Sequence, residues 1–292
     1  MLNKKNDNNN ELTFTVLDYN ELLPFIMKKM DGISRTKAKN ILSSGSVYVN
    51  GKNVTRHNFS LLPGMEVKIN KNHKINHIDN QWVRIVYEDR YLFVVEKKAG
   101  IICHSPNPND ETVQSILNQY LESSHKRCHA HTIHRLDRDT SGLMIFAKDK
   151  KVALKFEENW KETVHDRRYM ALVHGEIRKQ EGTISSWLKD TGLVVVSAKF
   201  DNGGKYAVTH YKLIKVCDGY SLVELRLDTG RKNQIRVHLR DIGFPVVGDM
   251  KYGDGDDKIG RLGLHAFKLC FIHPVTGQEL KFETPLPQSF RI

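Results

Sequence analysis

From Trp82 onward the chain is a succession of short strand-type runs, and this constrains its fold more than any other feature. Trp82–Tyr87, Tyr91–Val95, Leu143–Ala147, Tyr169–Val173, Ala207–Ile214 and Leu222–Leu227 are rich in β-branched and aromatic residues and are separated by polar turns. Such runs bury their apolar side chains only by pairing into a sheet. Helical periodicity is confined to a few places. Val113, Ile116, Leu117, Tyr120 and Leu121 share one helix face, and a second helix is predicted over 151–163, where Val152, Phe156 and Trp160 recur every fourth residue. Many strands with few helices predict an α+β domain: a mixed, largely antiparallel central sheet flanked by helices. A length of 292 residues leaves room for a second, smaller domain.

Composition excludes several classes. Hydrophobic residues make up 39% and charged residues 27%, enough apolar surface for a real core. No apolar run approaches the roughly 18 residues that cross a bilayer, and the Asn-rich start lacks the apolar segment of a secretory signal. A cytoplasmic location without membrane contact is the expectation. Cys103, Cys128, Cys217 and Cys270 form no CxxC pair, which argues against a zinc ribbon or a disulfide scaffold and fits a reducing compartment. The formal charge of +11 points to a polyanionic partner, most often nucleic acid. Residues 1–80 carry 12 basic against 7 acidic side chains, a charge density more than twice that of the remainder.

These shifts divide the chain into a flexible tail (1–11), a small αβ domain (12–70), a polar linker (71–80) and a large domain (81–292). In the small domain Ser34 caps a predicted helix whose apolar positions are Ala38, Ile41 and Leu42, with Gly45 ending it. Arg35 and Lys39 project from another face, where they can meet phosphates. Asn50-Gly51 between Val47–Val49 and Lys52–Val54 is a strong signal for a tight hairpin, because both turn residues need positive φ. A basic helix followed by a hairpin resembles the S-four-type RNA-binding domain, on Ser34-Arg35, Lys37, Lys39, Gly45, Val47, Asn50-Gly51 and Pro63-Gly64. The resemblance implies RNA contacts by Arg35, Lys37 and Lys39; the alternative is a solvated charged face.

The informative segment of the large domain is His134-Arg135-Leu136-Asp137-Arg138-Asp139-Thr140-Ser141-Gly142, which runs into the apolar LMIFA. A polar loop on the end of a rigid strand is a common place to hold reactive side chains. Arginines on both sides of Asp137 would favour its ionised form if they lie near in space. An ionised carboxylate can act as nucleophile, as base, or as a stabiliser of positive charge at a sugar carbon. A turn whose Asp and Ser cap backbone groups is the plain alternative. Reading Asp137 and Asp139 as a glycosidase pair fails on specificity, because two aspartates in one polar loop are too common a pattern to carry that reading. His125, Cys128, His129, His131 and His134 lack tetrahedral zinc spacing, so no metal is expected.

HRLDRDTSGLMIFAK closely resembles the signature of the RluA-type pseudouridine synthases, which isomerise uridine in ribosomal or transfer RNA. Further blocks follow in the family's order: Lys98-Ala99-Gly100 before the loop, then Arg168–Gly175, Thr229–His238, Gly248-Asp249 with Tyr252-Gly253, Leu264-His265-Ala266 and His273-Pro274. Lys98 stands where the family usually has Pro, and Asn233 where it often has His. The resemblance implies a cofactor-free RNA pseudouridine synthase in which Asp137 is the essential carboxylate, Tyr169 stacks on the target base and Arg236 pairs with Asp137. It implies that Arg135 takes the space a flipped base vacates, and that His134, Thr140 and Arg231 also bind substrate. Independently of the family, Ile235, Leu239 and Ile242 predict a short helix with Arg236 off its apolar face. A monomer acting on 23S ribosomal RNA is expected, with transfer RNA as the alternative substrate. A non-catalytic RNA-binding or ribosome-assembly protein on the same fold is the rival from another class.

Overall fold

The computed structural model describes residues 11–43, 46–54, 56–70, 80–123, 128–253, 255 and 258–291. Residues 1–10 of the expected tail, nearly all of the linker, Gly45 and His125 lie outside the described residues.

Residues 11–70 build a small αβ unit from β1 (Glu11–Thr15), β2 (Asn20–Glu21), α1 (Leu22–Lys29), α2 (Arg35–Ser43), β3 (Val47–Val49), β4 (Lys52–Asn53), β5 (Ser60–Leu61) and β6 (Glu66–Asn70). One sheet has the order β1-β6-β3-β4, and β2 pairs with β5. Ser34 Oγ accepts the Lys37 amide at 3.2 Å, so the capping residue read from the sequence caps α2. Asn50 and Gly51 take φ of 48° and 76°, the positive values a two-residue hairpin demands. Leu22, Ile26, Ala38, Leu42, Val47, Val67 and Ile69 form the core between helices and sheet. Arg35, Lys37 and Lys39 are all exposed on α2.

The larger unit begins with β7 (Val83–Glu88), β8 (Leu92–Lys97), α3 (Val113–Ser123), β9 (His131–Thr132) and β10 (Ser141–Ala147). It continues through α4 (Lys150–Glu158), α5 (Trp160–Thr163), β11 (Val164–His174), β12 (Glu181–Asp190), β13 (Val195–Ala198), β14 (Lys205–Cys217) and β15 (Tyr220–Leu227). It closes with α6 (Gln234–Asp241), β16 (Leu264–Ile272) and β17 (Glu279–Glu283). The strands form one sheet of order β13-β12-β14-β15-β11-β16-β10-β8-β7, with β17 beside β16 and β9 beside β10. Among the named strand pairs only β10–β16 is parallel. The expected mixed, largely antiparallel sheet is therefore present.

Helices cover both faces. On one, Val113, Ile116, Leu117 and Leu121 of α3 and Ile235 and Leu239 of α6 pack with Phe93, Phe146 and Val223. On the other, Val152 and Phe156 of α4 pack with Val94, Ile145 and Phe271. This explains β10, whose seven residues are all buried: it lies between two helical layers, so its sequence is apolar throughout rather than alternating. The single helix predicted over 151–163 is two. Asn159, at φ −128° and ψ 37°, breaks it, while Trp160 still packs against the cluster that holds Val152 and Phe156 and also meets Arg167 and His134.

Candidate active site

The 134–142 loop enters β10 at a point where only glycine fits. Gly142 sits at φ +123°, and a Cβ there would lie 2.2 Å from the Ala266 carbonyl oxygen. That close approach lets β10 pair in parallel with β16 directly after the loop. The other side of the loop is fastened to the segment after β8. Lys97, fully buried, donates from Nζ to the carbonyls of Lys98, Ile101 and Arg138 at 2.9, 2.8 and 2.7 Å. Gly100 N–H donates to the same Arg138 carbonyl at 2.9 Å. Cys103 Sγ donates to the Leu136 carbonyl at 3.0 Å and accepts from the Leu136 amide. Asp137 is thus flanked on both sides by anchored backbone.

Helix α6 forms the facing wall, held by its polar residues. Gln234 accepts from Thr229 Oγ1 and the Arg231 amide and donates to the Val208 carbonyl and Thr209 Oγ1, all at 2.8 to 2.9 Å. His238 sits between Ser186 and Thr209, and burial holds its pKa at about 4, so it stays neutral. These bonds fix α6 on β12 and β14 and turn Arg236 toward the loop. The apolar-face reading placed Arg236 away from that face, and the structure shows what it meets instead. Its Nε and Nη2 donate to the two carboxylate oxygens of Asp249, each at 2.7 Å. Its ring-facing side lies over Tyr252 at 5.1 Å. Its Nη1 stands 3.8 Å from Asp137 Oδ2. The expected Arg236–Asp137 pair is therefore a through-space contact, and the bidentate pair belongs to Asp249.

Between loop and helix opens a cleft of about 890 Å³. His134, Arg135, Asp137, Thr140, Tyr169, Arg231 and Arg236 all line it. Arg35, Lys37 and Lys39 belong to the small unit and do not. Seven cationic residues (Arg135, Lys161, Arg167, Arg226, Arg231, Lys232, Arg236) against two carboxylates (Asp137, Asp228) give the cleft a field suited to a phosphate-bearing ligand. Arg135 is exposed at its mouth. Arg231 donates to the Tyr206 carbonyl at 3.3 Å.

The electrostatics differ from the simplest reading of the sequence. Burial pushes the Asp137 carboxyl above its ordinary value, opposed by Arg236, Arg135 and Lys97. Flanking arginines were expected to favour ionisation; burial outweighs them, and Arg138 instead reaches back to the Gly100 carbonyl. Burial also pushes the Tyr169 phenol up, with Arg167 opposing and Asp137 adding. Its ring packs in the core and also borders the cleft. His134 is held neutral at about 3 by burial and by Arg167; its Nε2 accepts the Ile145 amide at 3.0 Å. Thr140 Oγ1 is buried without a partner among the described residues. The sequence assigned no role to Lys97, Asn233 or Asp249, although each stands in or beside a block that carried the resemblance.

A model of the RNA pseudouridylate synthase family matches residues 91–241, the stretch from β8 through α6. An uncharacterized RNA pseudouridine synthase of Mycoplasma pneumoniae is 33% identical over 293 residues, covering 96% of this chain and 93% of its own. Ribosomal large subunit pseudouridine synthase C of Buchnera aphidicola is 30% identical, covering 91% and 90%. The solved human RNA pseudouridylate synthase domain containing 1 superposes with a TM-score of 0.59 at 29% identity, covering 72% of this chain and 85% of its own. The resemblance carried by the 134–148 signature is thereby borne out, and the chain belongs to the RNA pseudouridylate synthase family, enzymes that isomerise uridine in RNA.

Proposed function

We propose that the enzyme isomerises uridines in ribosomal large-subunit RNA, with Asp137 as the reactive carboxylate. The observation that carries this reading is the position of Asp137: at the wall of a cation-lined cleft, beside Tyr169 and Arg236, on a loop anchored from both sides. Ribosomal RNA is favoured because relatives aligned over nine-tenths of the chain carry ribosomal large-subunit names.

The reaction breaks the bond from ribose C1′ to uracil N1, turns the base, and joins C1′ to C5. The C5 hydrogen leaves as a proton and N1 gains one, so atoms balance without a redox partner. The ionised Asp137 carboxylate acts at the ribose, as nucleophile toward C1′ or as base toward a ribose proton. A stacked uridine cannot reach it, so the nucleotide flips into the cleft, and the Arg135 guanidinium at the mouth fills the vacated stack. Tyr169, its phenol held protonated by burial, supports the base as a ring surface and donor rather than as a free phenolate. Arg35, Lys37 and Lys39 supply phosphate contacts that carry no sequence information.

Transcripts of large-subunit ribosomal RNA and of transfer RNA, each labelled with tritium at uracil C5, test this. Release from the ribosomal transcripts alone is the expected result. Release from transfer RNA alone would move the substrate class, and no release from either would favour the binding-only rival.

A further inference from the structure

Arg236 commits its two shortest bonds to Asp249, so the direct hydrogen bonds to the Asp137 carboxylate come from another side chain. Asn233 supplies them once its amide is assigned with the nitrogen toward the loop: that nitrogen is then 2.9 Å from Asp137 Oδ2 and 3.2 Å from Oδ1, while the amide oxygen accepts the Tyr252 hydroxyl at 2.9 Å. The reverse amide orientation would press a carbonyl oxygen against a carboxylate. The Tyr252 hydroxyl accepts in turn from the Val195 amide at 2.8 Å, which ties the chain of bonds to β13. Asn233 and Tyr252 are both buried.

The backbone is arranged for this. Asn233 precedes α6 at φ 53° and ψ 18°, in the left-handed region, and its side chain makes no capping bond to the helix. An asparagine in that position ordinarily caps the helix it precedes. Here the amide is free to face the loop opposite. The other charged groups around Asp137 are Arg236 on α6, Arg135 on the same loop, Lys97 on β8 and Asp249 beyond α6. They act through space.

We propose that Asn233, braced by Tyr252, is the positioning residue of Asp137: its amide fixes the direction of the carboxylate and stabilises its charged form. This rests on Asp137 being the reactive group. Two variants of the full-length protein separate side chain from backbone. Asn233→Gly keeps the left-handed conformation at no steric cost and deletes the amide. Asn233→His keeps a ring N–H donor on a residue type that tolerates positive φ. Losing hydrogen bonds to a buried charge corresponds to about 10- to 100-fold. The single-turnover rate of Asn233→Gly at saturating RNA and neutral pH should fall by that factor, with KM little changed and the acid limb moved to higher pH. The Asp137 carboxyl, followed by carbon NMR in the free protein, should titrate about one pH unit or more higher. Asn233→His should recover part of both losses, and Tyr252→Phe should move both in the same direction by less. The carboxyl titration decides the matter: a midpoint unmoved in Asn233→Gly overturns the assignment even if the rate falls. It needs no substrate, so a wild-type protein that released no tritium would remove the functional reading while leaving this measurement in force.

Discussion

The carboxylate proposed to react as an anion is poorly served by burial, and Asp137 is held above the ordinary carboxyl range mainly by that burial. Its folded pKa therefore exceeds its unfolded one. The stability it contributes is complete below the unfolded pKa and is lost as pH rises through the folded pKa. Asp137→Asn should consequently melt at the same temperature as wild type at neutral pH, or slightly higher, while being inactive. A lower melting temperature would mark Asp137 as structural. The acid limb of kcat/KM should lie above pH about 4, the ordinary carboxyl value. Asp249 behaves oppositely. Burial acts to raise it, but the Arg236 pair overrides burial and holds it below its ordinary value. Its stability contribution is present above the unfolded pKa and is lost as pH falls through the folded one. Asp249→Asn leaves a buried guanidinium half-paired and should cost roughly 3–5 kcal/mol in denaturant unfolding. A loss under about 1 kcal/mol would show that solvent or Asp137 takes over the pair.

At the scale of elements, the loop is only as well placed as its two attachments. Lys97→Met deletes the ammonium that gathers three carbonyls, and should cost roughly 2–4 kcal/mol while raising proteolytic cutting within 134–140. Unchanged stability and protection would mean that Gly100 and Cys103 suffice. Gly142→Ala must move β10 away from β16 and should cost roughly 2–5 kcal/mol. The loop, β10 and the Asn50-Gly51 hairpin were legible in the sequence because each is specified locally, by apolar runs or by residues suited to positive φ. β12 was not, because a buried Ser186 and a half-buried Trp187 interrupt its apolar alternation, and β17, although Leu280 and Phe282 alternate inward, is only five residues long and is made a strand by pairing with β16. The partner of Arg236 was hidden for a similar reason. Helical spacing says which way an arginine points, but Asp249 stands 13 residues on and reaches it through a turn.

At the scale of the whole molecule, the proposed function divides labour between the two units by charge. The cleft holds its cations around Asp137, the proposed reactive carboxylate, while α2 presents Arg35 and Lys39 to solvent. Replacing both with alanine should weaken binding to long structured RNA and flatten the dependence of log affinity on log salt by roughly 0.7 to 0.9 per lost contact. Single-turnover conversion at saturating RNA should stay near wild type. An unchanged salt slope would reduce that helix face to a solvated surface. Most direct for the account as a whole is tritium release from C5-labelled ribosomal RNA by wild type and Asp137→Asn at equal bound RNA. The account predicts release by wild type, loss of at least 1,000-fold in the variant on the order seen when an essential group is removed, and RNA affinity changed little. Substantial release by Asp137→Asn would contradict it.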